Sequence, residues 1–383
     1  MAERIKLERG GENPHQEAWK EVIQRYGPAT VFKEPIHGKP LGYNNLQDAN
    51  AALEVLMDMS EHFSGIPSAV VLKHKNPCGL ATATTLRQAL EYAWRGDEVS
   101  SFGSVVGFSR TVNRDVIERT KGKFIEVIVA PDYDQDALDW VNGEESKKDL
   151  RLIETDNLIR DSSYVERHEM QGGALLQTRD DELYLGNVAE LLFSESITRS
   201  ELKGKIGYVT GPVSKRRFEK GMEKLFDFSV IAGKHIKSNS VSIVYECAQG
   251  NYRILGMGAG QPNRKASVEL ALKTAREGLM REYFRERSLD YAMVMNDFLR
   301  GSEDGKKVLK DAYEYANSIL SSNKTVLFTD SFFPFPDGLV TAANGGIRYI
   351  ATPGGSIKDK EVIEAADREN VALVFTGRRH FRH

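Results

Sequence analysis

Residues 71–79 read VLKHKNPCG. They close the run SAVVLKH (68–74), which is short, apolar and ends on charge, the pattern of a buried strand whose end faces a cleft. Asn76-Pro77-Cys78-Gly79 then predicts an immediate turn. The strand end offers a cation (Lys73), an imidazole (His74) and a thiol (Cys78). Four readings are open at this point: a metal site, a thiol nucleophile, an acid–base pair or a plain turn. Upstream, LQDANAALEVLMDMSEHF (46–63) spaces Leu53, Leu56, Met57 and Phe63 as one helical face, and Gly65-Ile66-Pro67 ends it. Downstream, TLRQALEYAWRGD (85–97) predicts a helix with Thr85 as N-cap and Gly96 as stop. SSFGSVVGFS (100–109) and FIEVIVAPDY (124–133) predict two more strands. Strand, helix, strand, helix, strand is the order of an α/β sheet with parallel strands.

The composition fits that class. The chain has 383 residues, 40% of them hydrophobic and 28% charged, with a net charge of -3. Acids and bases are mixed along the chain, without the basic stripe of a dedicated nucleic-acid binder. The charged start MAERIKLERGGENPHQ has no apolar core of a secretory signal, and no apolar run approaches a membrane span. Two cysteines, Cys78 and Cys247, do not make a disulfide framework, so a cytoplasmic, reduced protein is expected. The histidines lack zinc-site spacing, and no metal is expected.

Residues 141–200 are charged and irregular, and a lobe boundary is expected near 190–205. A second helix–strand series begins at GMEKLFDFSVIAGKHIKSNSVSIVYE (221–246). Then come a strand and glycine turn (RILGMGAGQPNR, 253–264), a long helix (265–287), a strand and loop (KTVLFTDSFFPFPDG, 324–338), and a closing strand, helix and strand. K-H-K-N (73–76) and K-H-I-K-S-N (234–239), the latter read as lying on a strand, form a faint repeat that points to a duplicated α/β lobe.

Each candidate carries two readings. His74 is either a strand-end histidine bonded to backbone or, with a cation beside it, a neutral imidazole able to accept a proton. Cys78 in P-C-G echoes the zinc deaminases, but the second cysteine and the preceding H-x-E are missing. As a nucleophile it would need an activated thiolate, and packing as a small buried residue competes with that. Asn239 in KSNS is either an Asx-turn residue or an amide donor to a charging carbonyl oxygen. GMGAGQ (256–261) lacks full dinucleotide spacing and predicts a tight turn. SFFPFPDG (331–338) is either a buried aromatic cluster or a wall for a planar ring. GRRHFRH (377–383) is either a solvated tail or an anchored phosphate clamp.

Set side by side, GENPHQ, LGYNNLQDA, KH-x-N-P-C-G, SSFG, VIVAPDY, KSNSV, GMGAGQPNR, TDSFFPFPDG, TPGGSIKD and TGRRHFRH span essentially the whole chain. In this order the sequence resembles AICAR (phosphoribosylaminoimidazolecarboxamide) formyltransferase, the transformylase part of the bifunctional purine-biosynthesis protein. The resemblance implies two duplicated cytidine-deaminase-like α/β/α lobes, residues 1–200 and 201–383, in a homodimer with active sites at the interface. It implies 10-formyltetrahydrofolate as donor and the 5-amino group of AICAR as acceptor. The family's Lys-His pair falls on Lys73 and His74, and its catalytic asparagine on Asn239. His74 would handle the proton, Lys73 would keep it neutral and stabilise negative charge, and Asn239 would orient the reacting groups. Arg9, Arg264, Phe332 and Arg379 fall on AICAR-binding positions, with Arg9 reaching the phosphate from the partner subunit. Phe102 and Asp337 fall on folate-binding positions.

Three departures from the family pattern stand out: Gly10 in place of a tyrosine, Pro336 in place of an arginine, and Asn263 before Arg264. The chain also starts just before GENPHQ, so a stand-alone formyltransferase with a separate IMP cyclohydrolase is expected. The rivals are a metal-dependent deaminase, a non-catalytic AICAR or folate sensor, and an enzyme with a different formyl donor. No G-x-x-x-x-G-K-[ST] loop supports a donor such as formate with ATP.

Overall fold

The computed structural model describes residues 3–8, 12, 16–22, 27–199 and 208–383. The strands, in chain order, are β1 (Glu3–Lys6), β2 (Trp19–Val22), β3 (Ser68–Lys73), β4 (Asn76–Thr82), β5 (Ser104–Phe108), β6 (Ile125–Ala130), β7 (Arg151–Glu154), β8 (Val165–Met170), β9 (Gly173–Thr178), β10 (Ile197–Arg199), β11 (Tyr208–Pro212), β12 (Val241–Ala248), β13 (Asn251–Gly258), β14 (Thr325–Thr329), β15 (Tyr349–Thr352) and β16 (Ala372–Phe375). The helices are α1 (Tyr43–His62), α2 (Leu86–Trp94), α3 (Arg114–Glu118), α4 (Gln135–Gly143), α5 (Val188–Phe193), α6 (Glu223–Lys234), α7 (Arg264–Glu286), α8 (Tyr291–Leu299), α9 (Glu303–Leu320), α10 (Asp337–Asn344) and α11 (Asp359–Arg368).

Twelve strands form one sheet in the order β10-β11-β16-β15-β14-β12-β13-β4-β3-β5-β6-β7. The expectation of parallel strands holds only at the wings, where β5-β6-β7 and β14-β15-β16 run parallel. The centre is antiparallel, because β3–β4 and β12–β13 are hairpins. Each half has the same arrangement: a hairpin whose first strand pairs antiparallel with a third, followed by two parallel strands. The halves meet where β4 lies against β13, with Ala81 opposite Arg253.

Side chains alternate across the pleat, and both faces are covered. Val70 and Leu72 of β3 pack with α1 and α6 in one core. Ala69 and Val71 face α2, α3 and α4, and the matching face of the second half packs against α7, α9, α10 and α11. Burial on both sides explains why these strands read as continuous apolar runs. Thr85 caps α2 as its sequence predicts, accepting the Gln88 amide. Two glycines admit the helices: a Cβ on Gly79 would sit 1.8 Å from the Ala93 carbonyl oxygen, and one on Gly258 would sit 1.9 Å from that of Ser267.

Two local expectations are overturned. Asn76–Gly79 is not a turn but the start of β4, with Pro77 opposite Leu72 beside a bulge. Lys234 ends helix α6, so the K-H-I-K-S-N segment is a helix-to-strand turn and not a strand. None of the described helices is long and apolar enough to cross a membrane.

Candidate active site

The chain reverses at His74 and Lys75, whose φ values are 52° and 64°. Two successive positive φ values are what a tight hairpin needs, and side chains larger than glycine adopt them at a cost of about 1–2 kcal/mol each. Helix α1 holds the turn in place. The Lys75 amide donates to Asp48 Oδ1 at 2.8 Å, and Lys75 Nζ donates to Gln47 Oε1 at 2.6 Å. Burial raises the Asp48 carboxyl above its usual range, against the pull of the Lys75 amide and the His74 charge. The result exposes His74 at the tip, one residue beyond Lys73.

Lys73 does not turn towards His74. Its ammonium donates to the carbonyls of Phe102 and Gly103, at 2.8 and 2.9 Å. Phe102 is 69% exposed and stacks on Phe124 at 4.9 Å. Cys78 is buried, and desolvation pushes its thiol up to about 12. That removes the thiolate a nucleophile needs and leaves packing as its role.

The second half brings a turn to the same place. The Asn76 side-chain oxygen accepts the Lys237 amide at 2.9 Å, tying the hairpin to residues 237–239. Asn239, which follows a cis peptide, is fixed at both ends of its amide. Its Nδ2 donates to the Gln261 carbonyl at 2.9 Å, and its Oδ1 accepts from Arg264 at 2.9 Å. Arg264 also donates to the Ser240 carbonyl and pairs with Asp330, which accepts from Ser238 Oγ and the Ser240 amide. Arg264 is therefore an internal clamp on Asn239, and burial lowers its pKa.

The remaining expected residues divide. Phe332 is half-buried and Asp337 is exposed at the start of α10, accepting its neighbour's amide. A Cβ on adjacent Gly338 would lie 3.8 Å from Arg264 Cγ, so this end of α10 borders the clamp. Arg379 is exposed, with its guanidinium 4.2 Å from the Phe381 ring. It is Arg382 that turns inward, donating to Glu54 at 2.9 Å and bonding Ser238 through its backbone. Arg9 lies outside the described residues.

A cleft of about 630 Å³ runs beside the joined turns, bordered by Lys75, Lys237, Lys234, Arg160 and Arg382. Burial lowers Lys75, with the like charge of Lys237 beside it. Two such lysines in a concave wall suit a phosphate. Sequence reasoning missed Lys75, Lys237, Asp48 and Arg382, although the spacing of the two K-H segments was a signal for the lysines. Among the described residues, no three or more His, Cys, Asp or Glu side chains are grouped to hold a metal ion.

The model of the AICARFT/IMPCHase bienzyme family matches residues 2–274. The chain belongs to that family. It is 34% identical over its whole length to the bifunctional purine biosynthesis protein PurH of Caldicellulosiruptor saccharolyticus, covering 60% of that protein. The PurH of Persephonella marina is also 34% identical, over 98% of this chain and 59% of its own length. The PurH of Lactococcus lactis is 32% identical over 98% of the chain. The chain thus spans about three-fifths of the length of these relatives. The match covers both joined turns of this family member as far as Arg264 and the first part of α7.

Proposed function

We propose that this chain is an AICAR formyltransferase that moves the formyl group of 10-formyltetrahydrofolate to the 5-amino group of AICAR. The observation that carries the reading is the hydrogen bond from the Lys237 amide to Asn76. It joins the Lys73–His74 hairpin of one half to the Asn239 turn of the other in a member of a transformylase family.

The acceptor amine is conjugated to a carboxamide and nucleophilic only as its proton leaves. His74, exposed at the hairpin tip, takes that proton and returns it to N10 of the donor as the bond from N10 to the formyl carbon breaks, which releases tetrahydrofolate. As the formyl carbon becomes tetrahedral its oxygen gains charge. Asn239 keeps one N–H beyond the bond to Gln261, and this N–H meets that oxygen from an amide that does not reorganise. The Lys73 ammonium, pinned by two carbonyls, adds positive charge at a fixed point. Lys75, Lys237 and Arg382 line the phosphate end of the AICAR site, and Phe332 borders its ring. Phe102 and Asp337 contact the folate. Arg379 and Arg9 complete the phosphate contacts in a homodimer whose sites lie at the interface. The chain reads as two cytidine-deaminase-like lobes, residues 1–200 and 201–383. The shared strand order of the halves supports this, with β10 already pairing on the second half's edge.

The test is a formyl-transfer assay with AICAR and 10-formyltetrahydrofolate, following tetrahydrofolate by absorbance and nucleotides by chromatography. Formyl-AICAR is the expected product. Binding of AICAR without turnover would replace this reading with a sensor.

A further inference from the structure

Among the described residues, the exposed imidazole of His74 makes no hydrogen bond or ion pair, so its place in the site is set through the backbone alone. Lys73 pairs with Asn76 across the hairpin, which leaves His74 and Lys75 as a two-residue loop with both φ values positive. Residues other than glycine resist that conformation. It persists where the surroundings over-determine it.

Here the peptide between His74 and Lys75 is held at both ends. Its N–H donates to Asp48 Oδ1 at 2.8 Å, and its carbonyl accepts from Asn76 Nδ2 at 3.1 Å. The two partners stand on different elements, Asp48 within α1 and Asn76 at the first position of β4. A flip of this peptide would turn its carbonyl to the Asp48 carboxylate and its N–H to the Asn76 Nδ2 donor. Acceptor would then face acceptor and donor would face donor, which disfavours the flipped form. Pro77 restricts Asn76 to extended backbone, which fixes the direction in which its side chain leaves the strand. The same amide accepts the Lys237 N–H through Oδ1 at 2.9 Å. One side chain thus sets His74 of the first half against the Asn239 turn of the second.

We propose that Asp48 and Asn76 are positioning residues for the formyl transfer, clamping the His74–Lys75 peptide and acting on the reaction only through the imidazole. The proposal rests on the formyltransferase reading and deepens it. A displacement of about 1 Å in a reacting group can cost about 100-fold in rate, so loss of either bond to the peptide should lower turnover. Gln47 still holds Lys75 Nζ at the phosphate end, so the Michaelis constant for AICAR should change much less.

The experiment is steady-state formyl transfer by the full chain carrying Asp48→Ala, Asp48→Asn or Asn76→Asp, each alone and combined with His74→Ala, with a thermal scan of every variant. Asp48→Ala should lower kcat about tenfold or more. Asp48→Asn keeps an acceptor for the Lys75 amide and should recover most of that loss. Asn76→Asp keeps the acceptor for Lys237 and loses only the donor to the His74 carbonyl, so it should lower kcat as well. It also serves if Asp48→Ala does not fold. Combined with His74→Ala, neither Asp48→Ala nor Asn76→Asp should lower the residual rate further, because their effect runs through the missing imidazole. A loss that persists without His74, or one confined to the Michaelis constant, would overturn the proposal. Formyl transfer indifferent to both positions defeats only the clamp. No formyl transfer by the unaltered chain defeats the formyltransferase reading, and the clamp with it.

Discussion

His74 occupies a backbone conformation that costs alanine and histidine about the same. His74→Ala therefore removes the imidazole without removing the hairpin, which Asp48 holds through the next amide. Turnover should fall by roughly 100-fold or more, the scale of lost proton transfer, with the melting temperature unchanged. Steady-state kinetics with a thermal scan checks both, and near-normal turnover would remove His74 from the mechanism. Cys78 makes the opposite case. Its thiol is raised from 9.0 to about 12 by burial, so the folded chain keeps a proton that an unfolded chain releases. Its contribution to stability is level below about 9 and falls as pH rises from there towards 12. At pH 8, thiol reagents should label Cys78 only after unfolding, and Cys78→Ser should leave turnover intact. Rapid labelling of Cys78 in the folded protein would contradict its buried position.

At the scale of elements, the hairpin marks where sequence reading stops. Apolar runs identified β3, β5 and β6, and the Thr85 cap located α2, because those signals are local. Asn-Pro-Cys-Gly has turn composition, yet the turn sits two residues earlier. Its cause is Asp48, 27 residues upstream on α1, and no local pattern records that. The mixed sheet was hidden with it, since reading β4 as a turn conceals the β3–β4 hairpin that makes this part of the centre antiparallel. Lys73, His74, Asn239 and Arg264 stand out in the sequence as candidates, but the bonds of Arg264 to Asn239 and Asp330 are long-range and could not be read there. Helix packing adds a device of its own. Asp58, buried on α1, accepts from His235 Nε2 at 2.6 Å, lies 3.0 Å from Lys234 Nζ and pairs with Arg160. Burial holds His235 well below its ordinary value and Lys234 at about 8. Asp58→Asn removes the carboxylate that these groups share. It should cost about 3 kcal/mol, the scale for breaking a buried ion pair. Urea unfolding measures this, and a loss too small to resolve would mean that Asp180 takes over the pairing.

At the scale of the whole molecule, the continuous sheet makes the two halves one body, but it leaves the β8–β9 ribbon uncovered. Val165, Met170, Leu175 and Leu176 are 47–63% exposed, on two strands that, among the described residues, pair only with each other. A two-stranded ribbon is marginal alone, and clustered exposed apolar side chains mark an interaction surface. Leu175 and Leu176 are adjacent in one strand and point to opposite faces, so a cover on one side satisfies only half of the ribbon. A second copy that clasps the ribbon meets both faces, and this agrees with the proposed homodimer. Sedimentation equilibrium should then show a dimer for the unaltered chain and a monomer for Leu175→Glu, Leu176→Glu. If the active sites lie at that interface, the same variant loses formyl transfer although Lys73, His74 and Asn239 are untouched. The activity of the unaltered chain should also fall on dilution through the dissociation range. A variant that remains dimeric would put the second copy on another surface. A monomer that keeps full activity would place every catalytic group within one chain.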